Sequence, residues 1–221
     1  MFGYQECEDG VLCWLCNPNN PTGDVMATDE VLALAERHSL LIVDQSYEDY
    51  TMAPLLQPAD VVRRDDIILL HSMTKRYAVP GLRLGYIIAS AKVISCLREQ
   101  YRPWAINALS LEAGKWLVQR GETAIPDLTS YLAETQRLRT MLNEIDGIEA
   151  QQTQTNFFLC TIQQATAAEL KEYLALEHGI LIRDASNFTG LTAHHFRIAT
   201  QSRAENDALV TAIRLFLNKQ Q

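Results

Sequence analysis

The sequence lacks both an excess of positive charge and any long hydrophobic run. Among its 221 residues, 19 are lysine or arginine and 27 are aspartate or glutamate, which gives a formal net charge of -8. Nonspecific binding to nucleic acid or to an anionic membrane surface requires a positive surface, so this charge disfavours both partners. The apolar runs are far shorter than the roughly 20 residues that span a bilayer, and no basic segment followed by an apolar core begins the chain. We therefore expect a cytoplasmic protein that binds neither nucleic acid nor membrane.

Patterns typical of metal or redox sites are also scarce. The five cysteines are odd in number, and most lie within apolar segments, which favours reduced and buried thiols. Cys13 and Cys16 have the spacing of a redox or zinc motif, but they lie in a predicted strand, where positions three apart face opposite sides. The neighbours His194 and His195 face opposite sides for the same reason. We predict no metal site.

The order of apolar segments predicts two kinds of architecture. In the first part of the chain, strands at 11–16, 40–43, 67–70 and 84–89 are joined by a helix at 28–38 and by irregular segments. Strand, helix and strand in succession imply a parallel sheet with right-handed crossovers, and the branched composition predicts buried strands. Residues 51–66 are expected to be irregular. Further helices are predicted at 91–100, 107–119 and 123–145.

The last part of the chain has a different pattern, which predicts a small alpha+beta unit. Its short strands and two helices alternate without the regular spacing of the first part. The predicted strands cover 148–152, 156–161, 180–183 and 196–200, and the predicted helices cover 165–176 and 204–217. We place the boundary between the two domains at residues 115/116.

A lysine surrounded by anion-binding groups follows the third predicted strand. Lys75 is preceded by the hydroxyls of Ser72 and Thr74, and Arg83 follows eight residues later, just after a Pro-Gly turn. An amine, two hydroxyls and a guanidinium at a strand end form a good anion site that contains a nucleophile. An isolated lysine in a loop would usually be only a solvated surface residue. The spacing of all four residues, taken together, is what favours a functional site here.

Polar residues also follow the first two strands, namely Asn20 after the first and Asp44 with Tyr47 after the second. The carboxyl ends of parallel strands share one edge of a sheet, where ligands bind. An aspartate stabilises a protonated pyridine nitrogen, and an asparagine and a tyrosine bind a phenolic oxygen. Each residue has a simpler explanation in isolation, since Asp44 could cap a turn and Tyr47 could only pack. Together with a lysine that forms an imine, however, these groups match the requirements of pyridoxal phosphate.

Several motifs in register resemble the signatures of one family, the fold-type I pyridoxal-phosphate enzymes of the class I/II aminotransferase family. They occur in the family's order and with its gaps across nearly the whole chain. The motifs are Asn20-Pro21-Thr22-Gly23, Asp44-x-x-Tyr47, Ser72-x-Thr74-Lys75, Gly81-x-Arg83-x-Gly85, Asn156-Phe157 and Phe196-Arg197-Ile198. The resemblance implies an α/β fold of type I. Residues 1–115 would form a truncated, mostly parallel large-domain sheet that binds the cofactor, and residues 116–221 the small alpha+beta domain.

The resemblance also implies roles in cofactor binding and catalysis. Lys75 would form the imine with pyridoxal 5'-phosphate and then act as the acid and base that moves protons. Asp44 would pair with the pyridine nitrogen, and Tyr47 would contact the ring hydroxyl. The remaining cofactor-binding residues would be Asn20, on the ring hydroxyl, and Ser72, Thr74 and Arg83, on the phosphate.

The substrate-binding residues implied by the resemblance are Arg197, Arg183 and Asn156. Arg197 matches the arginine that binds the substrate carboxylate, for which a planar guanidinium is well suited. Arg183 would contact a phosphate at the other end of the substrate. Within the family, several segments look most like threonine-phosphate decarboxylase of cobalamin biosynthesis, and the alternative is histidinol-phosphate aminotransferase. The predicted substrate is therefore a phosphorylated amino acid or amine.

The chain departs from the family's pattern at its front. Family members carry a substantial portion before the strand that leads into Asn-Pro-Thr-Gly, whereas 16 residues precede Asn17 here. That portion includes a glycine-containing loop that binds the cofactor phosphate and an aromatic residue that stacks on its ring. We therefore expect a partial enzyme that is inactive by itself and whose complete form is a homodimer. A catalytically inert, self-associating fragment is the alternative from a different class.

Overall fold

The computed structural model describes residue 10, residues 12–121 and residues 127–219, and these residues form two compact units. The first unit contains the described residues up to 18 and residues 25–121, and the second contains residues 19–24 and 127–219. The short segment 19–24 therefore groups with residues far along the chain. The boundary predicted at residues 115/116 separates the large and small domains of the enzyme rather than these two units, and it stays a prediction.

A four-stranded sheet forms the centre of the first unit. Its strands are β1 (Leu12–Cys16), β2 (Leu40–Asp44), β3 (Ile67–Ser72) and β4 (Gly85–Ile88), in the order β1-β2-β3-β4. The first three strands run parallel, and β4 pairs antiparallel with β3. The prediction of a mostly parallel large-domain sheet is therefore confirmed.

Helix α1 (Thr28–Glu36) connects β1 to β2 and covers one face of this sheet. It buries Val31 and Ala35 in a core that also contains Leu41 and Val43. The remaining helices of the first unit are α2 (Pro58–Val61), α3 (Met73–Arg76), α4 (Ala91–Glu99) and α5 (Ala108–Arg120), and short 3-10 turns cover Glu48–Tyr50 and Pro80–Leu82. Helix α5 begins where the Asn107 side chain accepts a hydrogen bond from the Ser110 amide, as an N-cap residue does.

A second four-stranded sheet forms the second unit, and all of its pairings are antiparallel. Its strands are β5 (Ile148–Ala150), β6 (Phe157–Ile162), β7 (Arg183–Asp184) and β8 (His195–Ala199), in the order β5-β6-β8-β7. Three helices accompany it, α6 (Leu128–Asn143), α7 (Ala167–His178) and α8 (Arg203–Asn218). The core contains Phe158 and Phe196, neither of which is exposed. This arrangement is the predicted small alpha+beta unit.

Three expectations from the sequence are wrong. Strand β4 is not buried, because it has β3 on one side only among the described residues, and Tyr86 and Ile87 are exposed. The strand predicted at 180–183 is reduced to β7, with Leu181 exposed. Cys13 is disulfide-bonded rather than reduced, whereas Cys16, Cys96 and Cys160 form no disulfide. The segment 51–66 is largely irregular, as predicted, and contains the short helical turn α2.

None of the helices within residues 12–121 and 127–219 is long and apolar enough to cross a lipid bilayer.

An ion-pair network ties α6 to α8 in the second unit and predicts a loss of stability in acid. Arg137 donates to both carboxylate oxygens of Glu134, at 2.8 and 2.7 Å, and to Asp207 at 2.7 Å. The hydrogen bonds from Arg137 hold the pKa of Glu134 below its ordinary value. Because the pKa of Glu134 is lower in the folded than in the unfolded protein, its ion pair stabilises the fold fully at pH values above the ordinary pKa, near 4.3. This stabilisation disappears as the pH falls through the folded-state pKa.

We therefore expect Glu134→Gln to lower the free energy of unfolding at neutral pH. We also expect this free energy to fall less steeply in the variant between about pH 5 and pH 3. Denaturant unfolding followed across this pH range measures the effect. The control is Glu149→Gln, at an exposed position on β5. A Glu134→Gln variant with the same pH slope as the unmodified protein would show that this carboxylate contributes nothing.

Candidate functional site

One edge of the first sheet collects polar residues from two strands. Asp44 ends β2 in register with Leu70, and Ser72 ends β3 in register with Gly85 at the start of β4. Because β2 and β3 are parallel, both strands end at this edge, and the antiparallel β4 begins there. The Asp44 carboxylate accepts a hydrogen bond from the Ser46 amide at 2.9 Å. The fold therefore brings Asp44 and Ser72 to the same edge, as the sequence predicts.

Lys75 lies immediately beyond this edge, in the single helical turn α3 rather than in the predicted loop. Its side chain is half-buried, and its Nζ lies 5.4 Å from the centre of the Tyr47 ring. The lysine carbonyl accepts a hydrogen bond from the Tyr50 hydroxyl at 3.1 Å. Among the residues that the structure describes, no carboxylate pairs with the amine. A ligand can therefore reach this nitrogen without first breaking an ion pair.

Two hydroxyls and a guanidinium flank the lysine. The oxygens of Ser72 and Thr74 lie 2.7 Å apart and share a hydrogen bond. Arg83 has a left-handed backbone conformation (φ 51°, ψ 43°) after the Pro80–Leu82 turn. Its exposed side chain donates to the Pro80 carbonyl at 3.2 Å and to no other described residue, so its remaining donors are available to an anion. These three residues are suited to binding a phosphate.

The turn after β2 packs closely against the lysine segment, which no pattern in the sequence predicts. Glu48 lies 2.8 Å from Nδ1 of His71, and Asp49 lies 2.8 Å from Nη1 of Arg76. Burial raises the pKa of Asp49, and the Arg76 charge opposes this rise. The ring of the buried His71 stacks on that of Tyr86, with 4.8 Å between the ring centres. These pairs join residues more than 20 positions apart, which is why spacing in the sequence could not reveal them.

Asn20 belongs to the second unit, where it contacts Arg197 on β8. Nη1 of Arg197 donates to the Asn20 side-chain oxygen at 2.5 Å. The guanidinium carbon lies 5.0 Å from the centre of the Phe157 ring, and the buried Nε has no hydrogen-bond partner among the described residues. The structure thus brings together two predicted site residues that are 177 positions apart.

Gly23 explains why the loop that carries Asn20 can lie against the second unit. The glycine has a φ of +82°, and a side chain at this position would collide with the Thr153 hydroxyl and the Phe157 carbonyl. Its own carbonyl accepts a hydrogen bond from the Gln154 amide at 3.0 Å. The Asn-Pro-Thr-Gly motif therefore needs glycine for a close approach between backbones.

Arg183 and Arg197 lie directly opposite each other on β7 and β8. Both line a cavity of about 660 Å³ that lies entirely within the second unit. Arg183 is exposed, and it donates to the Asn187 side chain at 2.9 Å. Two positive side chains in directly opposed positions repel each other, so the pair favours an anion between or beside them.

Asn156, the third predicted substrate residue, is 7% exposed and precedes β6. Its amide nitrogen donates to the Tyr131 hydroxyl at 3.2 Å, while its oxygen has no hydrogen-bond partner among the described residues. Sequence analysis did not identify Tyr131, because it lies 25 positions away on α6 and belongs to no motif.

Comparison with known proteins relates the chain to one family. The sequence model for aminotransferase class I and II matches residues 4–213. Threonine-phosphate decarboxylase from Salmonella typhimurium is 32% identical over 206 residues, which are 91% of this chain and 56% of that protein. Histidinol-phosphate aminotransferase from Caldanaerobacter subterraneus is 31% identical, over 94% of this chain and 57% of that protein. The chain thus spans little more than half the length of these relatives.

A solved structure supports the same relationship. The crystal structure of L-threonine-O-3-phosphate decarboxylase from Porphyromonas gingivalis superposes with a TM-score of 0.88 and 38% sequence identity, over 94% of this chain and 64% of that one. The fold type and the family predicted from the motifs are therefore confirmed. The chain belongs to the aminotransferase class I and II family, whose members are pyridoxal-phosphate enzymes of fold type I.

Proposed function

We propose that this protein acts on a phosphorylated amino acid or amine, as a pyridoxal-phosphate-dependent threonine-phosphate decarboxylase. The observation that carries this proposal is the opposed pair Arg183 and Arg197 on the wall of the 660 Å³ cavity. A substrate with a carboxylate at one end and a phosphate at the other presents an anion to each guanidinium. Planar guanidinium groups bind both anions through paired hydrogen bonds.

The donor groups at the edge of the first sheet fit pyridoxal phosphate. The Lys75 amine, which has no ion pair among the described residues, suits attachment to an aldehyde, and Ser72, Thr74 and Arg83 suit a phosphate. The Asp44 carboxylate suits a protonated ring nitrogen, and the Tyr47 hydroxyl suits the ring oxygen. We assign Asn20 to that ring oxygen as well. When bound, the cofactor supplies an electron sink for the carbon that loses a substituent.

The residues of the chain would orient the substrate and move protons. Arg183 and Arg197 would fix the substrate at both ends. Lys75 would hold and deliver a proton from Nζ, since its side chain has no competing ion pair among the described residues. Positioned proton transfer of this kind typically contributes about 10²- to 10⁴-fold to a rate.

The alternative function is that of a histidinol-phosphate aminotransferase. A relative with this name is 31% identical to the chain, which is close to the 32% identity of the Salmonella decarboxylase. Arg183 suits either substrate, because both carry a phosphate, whereas only threonine phosphate offers a carboxylate to Arg197. The two reactions differ in which bond to the substrate carbon breaks.

Product analysis distinguishes the two functions. The protein is supplied with pyridoxal phosphate and, separately, with threonine phosphate or histidinol phosphate. We expect that any turnover releases carbon dioxide from threonine phosphate. Amino transfer from histidinol phosphate, without carbon dioxide release from threonine phosphate, would contradict the decarboxylase and support the alternative.

We further propose that the protein is a cytoplasmic homodimer. Several large apolar side chains of the first unit are exposed, which favours association between copies. They include Trp14, Trp104, Leu109 and Val118. The exposure of these side chains also suits the alternative, an inert fragment that associates with itself. The inactivity of the isolated chain stays a prediction. A dimer that binds no pyridoxal phosphate would favour the inert fragment.

A further inference from the structure

The short 3-10 turn after β2 contacts the lysine segment with all three of its side chains. The contacts fall before, on and after Lys75, so the turn holds this segment at three points. They are Glu48 with Nδ1 of His71 at 2.8 Å, the Tyr50 hydroxyl with the Lys75 carbonyl at 3.1 Å, and Asp49 with Nη1 of Arg76 at 2.8 Å.

Helix α3, which carries the lysine, is too short to be stable by itself. It contains four residues, Met73–Arg76. The first turn of a helix restricts several backbone angles for a single hydrogen bond, and isolated helices become stable in water only above roughly 12–15 residues. The conformation of α3 therefore depends on contacts from outside the helix, and the turn after β2 supplies two of them.

The Tyr50 hydroxyl bonds a carbonyl at the end of α3. Carbonyls in this position have no partner within the helix and need one elsewhere. The Lys75 carbonyl accepts from the Ala78 amide at 3.2 Å and from the Tyr50 hydroxyl at 3.1 Å. A carbonyl can only accept, so the tyrosine proton points to it. This bond holds the backbone of the lysine and leaves its amine available for reaction.

Asp49 holds the residue that follows the lysine. The side chains of Asp49 and Arg76 are only 18% and 32% exposed, and a charge pair that is partly shielded from water is stronger than one on the open surface. The same guanidinium lies 4.0 Å from the carboxylate of Glu48. Both acidic residues of the turn therefore attract the last residue of α3.

The turn also continues directly from the residues that would bind the cofactor ring. The Glu48 amide donates to the Gln45 carbonyl at 2.9 Å, and the Tyr50 amide donates to the Tyr47 carbonyl at 3.0 Å. Hydrogen bonds thus connect the chain that follows Asp44 as far as the turn. The turn therefore links the position of these residues to the position of the lysine.

We propose that the turn Glu48–Tyr50 positions the Lys75 amine for covalent attachment, and that Tyr50 is its main positioning residue because it bonds the backbone of the lysine itself. The aldehyde that attaches rests on the proposed function. The position of the amine does not, because it follows from the contacts between the turn and α3.

The first test measures access to the amine without any cofactor. Formaldehyde with cyanoborohydride methylates lysines, and peptide mass spectrometry gives the rate at each of the five lysines of the chain. We expect Tyr50→Phe to raise the rate at Lys75, relative to the other four, by at least about threefold, because loss of the hydrogen bond lets α3 open more often. An unchanged relative rate in a folded variant would overturn the proposal.

Two further variants accompany this test. Asp49→Asn removes the charge but keeps the size of the side chain, and it should also raise the relative rate at Lys75. Tyr101→Phe is the matched control, since it removes the hydroxyl of a tyrosine in the same unit that is 59% exposed. It should leave the rate unchanged. An equal rise in Tyr101→Phe would show a general loosening of the unit and would overturn the role of the turn.

The second test uses pyridoxal phosphate and separates positioning from simple stabilisation. The visible absorbance band reports how much cofactor is attached, and the circular dichroism of the same band reports how uniformly it is oriented. We expect Tyr50→Phe to lower covalent attachment by about fivefold and the ratio of dichroism to absorbance by at least about twofold. Tyr101→Phe should change neither.

A tyrosine that only stabilised the fold would lower the attached amount without changing this ratio, so an unchanged ratio in Tyr50→Phe would overturn the positioning role. If no cofactor attaches to the unmodified protein, the proposed function fails. The formaldehyde rates then still decide whether the turn positions the amine.

Discussion

Replacing Lys75 by alanine is expected to abolish covalent attachment of pyridoxal phosphate and the visible absorbance band that this attachment produces. The reason is that the other groups at the sheet edge, Ser72, Thr74, Arg83 and Asp44, contain no amine that could replace the lysine. If the protein has turnover, the rate should fall by at least about 10²-fold, as expected for loss of a positioned acid and base. An absorbance titration with pyridoxal phosphate measures the first effect directly.

Lys115→Ala is the control for Lys75→Ala. Lys115 is exposed on α5, where it pairs with Glu112 at 2.6 Å and lies in no predicted site. Its replacement should leave the absorbance band unchanged. A band that survives in Lys75→Ala and disappears in Lys115→Ala would show that the cofactor attaches to surface lysines rather than to the predicted one.

Replacing Arg197 by alanine is expected to weaken the binding of threonine phosphate by at least about 30-fold. Removal of one partner from a desolvated charge pair typically costs about 2 kcal/mol or more, and each 1.4 kcal/mol corresponds to a factor of ten. The substitution also removes the contact with Asn20 at 2.5 Å. Calorimetry with the purified protein measures the loss.

A comparison of two ligands separates the roles of the two arginines. If Arg183 binds the phosphate, Arg183→Ala should weaken the binding of threonine phosphate but not that of unphosphorylated threonine. If Arg197 binds the carboxylate, Arg197→Ala should weaken the binding of both ligands. Arg214→Ala, at an exposed position on α8, should weaken the binding of neither. Equal losses for both ligands in Arg183→Ala would contradict the assignment of the phosphate to that residue.

The placement of Asp44 and Ser72 could be predicted because it depends on strand order. Both residues end parallel strands, and parallel strands end at a common edge, so their proximity follows from topology. Lys75 was predicted in a loop, but directly after Ser72 the chain forms the helical turn α3. A turn of four residues has too few positions to show a helical period in the sequence.

The contacts made by long-range packing could not be predicted in the same way. Tyr131 meets Asn156 and Thr200 only because α6 packs against the second sheet, and no motif contains the tyrosine. The burial of β4 was overestimated because apolar composition does not reveal whether a strand has neighbours on both sides. The bonding of Cys13 could not be read from the spacing of the cysteines either.

Chemical trapping identifies the residue that binds pyridoxal phosphate covalently, which we propose is Lys75. The protein is incubated with limiting pyridoxal phosphate and reduced with borohydride, and the labelled lysines are identified by peptide mass spectrometry. The chain contains four other lysines, Lys92, Lys115, Lys171 and Lys219, which serve as internal references. We predict that the label is concentrated on Lys75. Labelling spread over the reference lysines, with no excess on Lys75, would contradict the account.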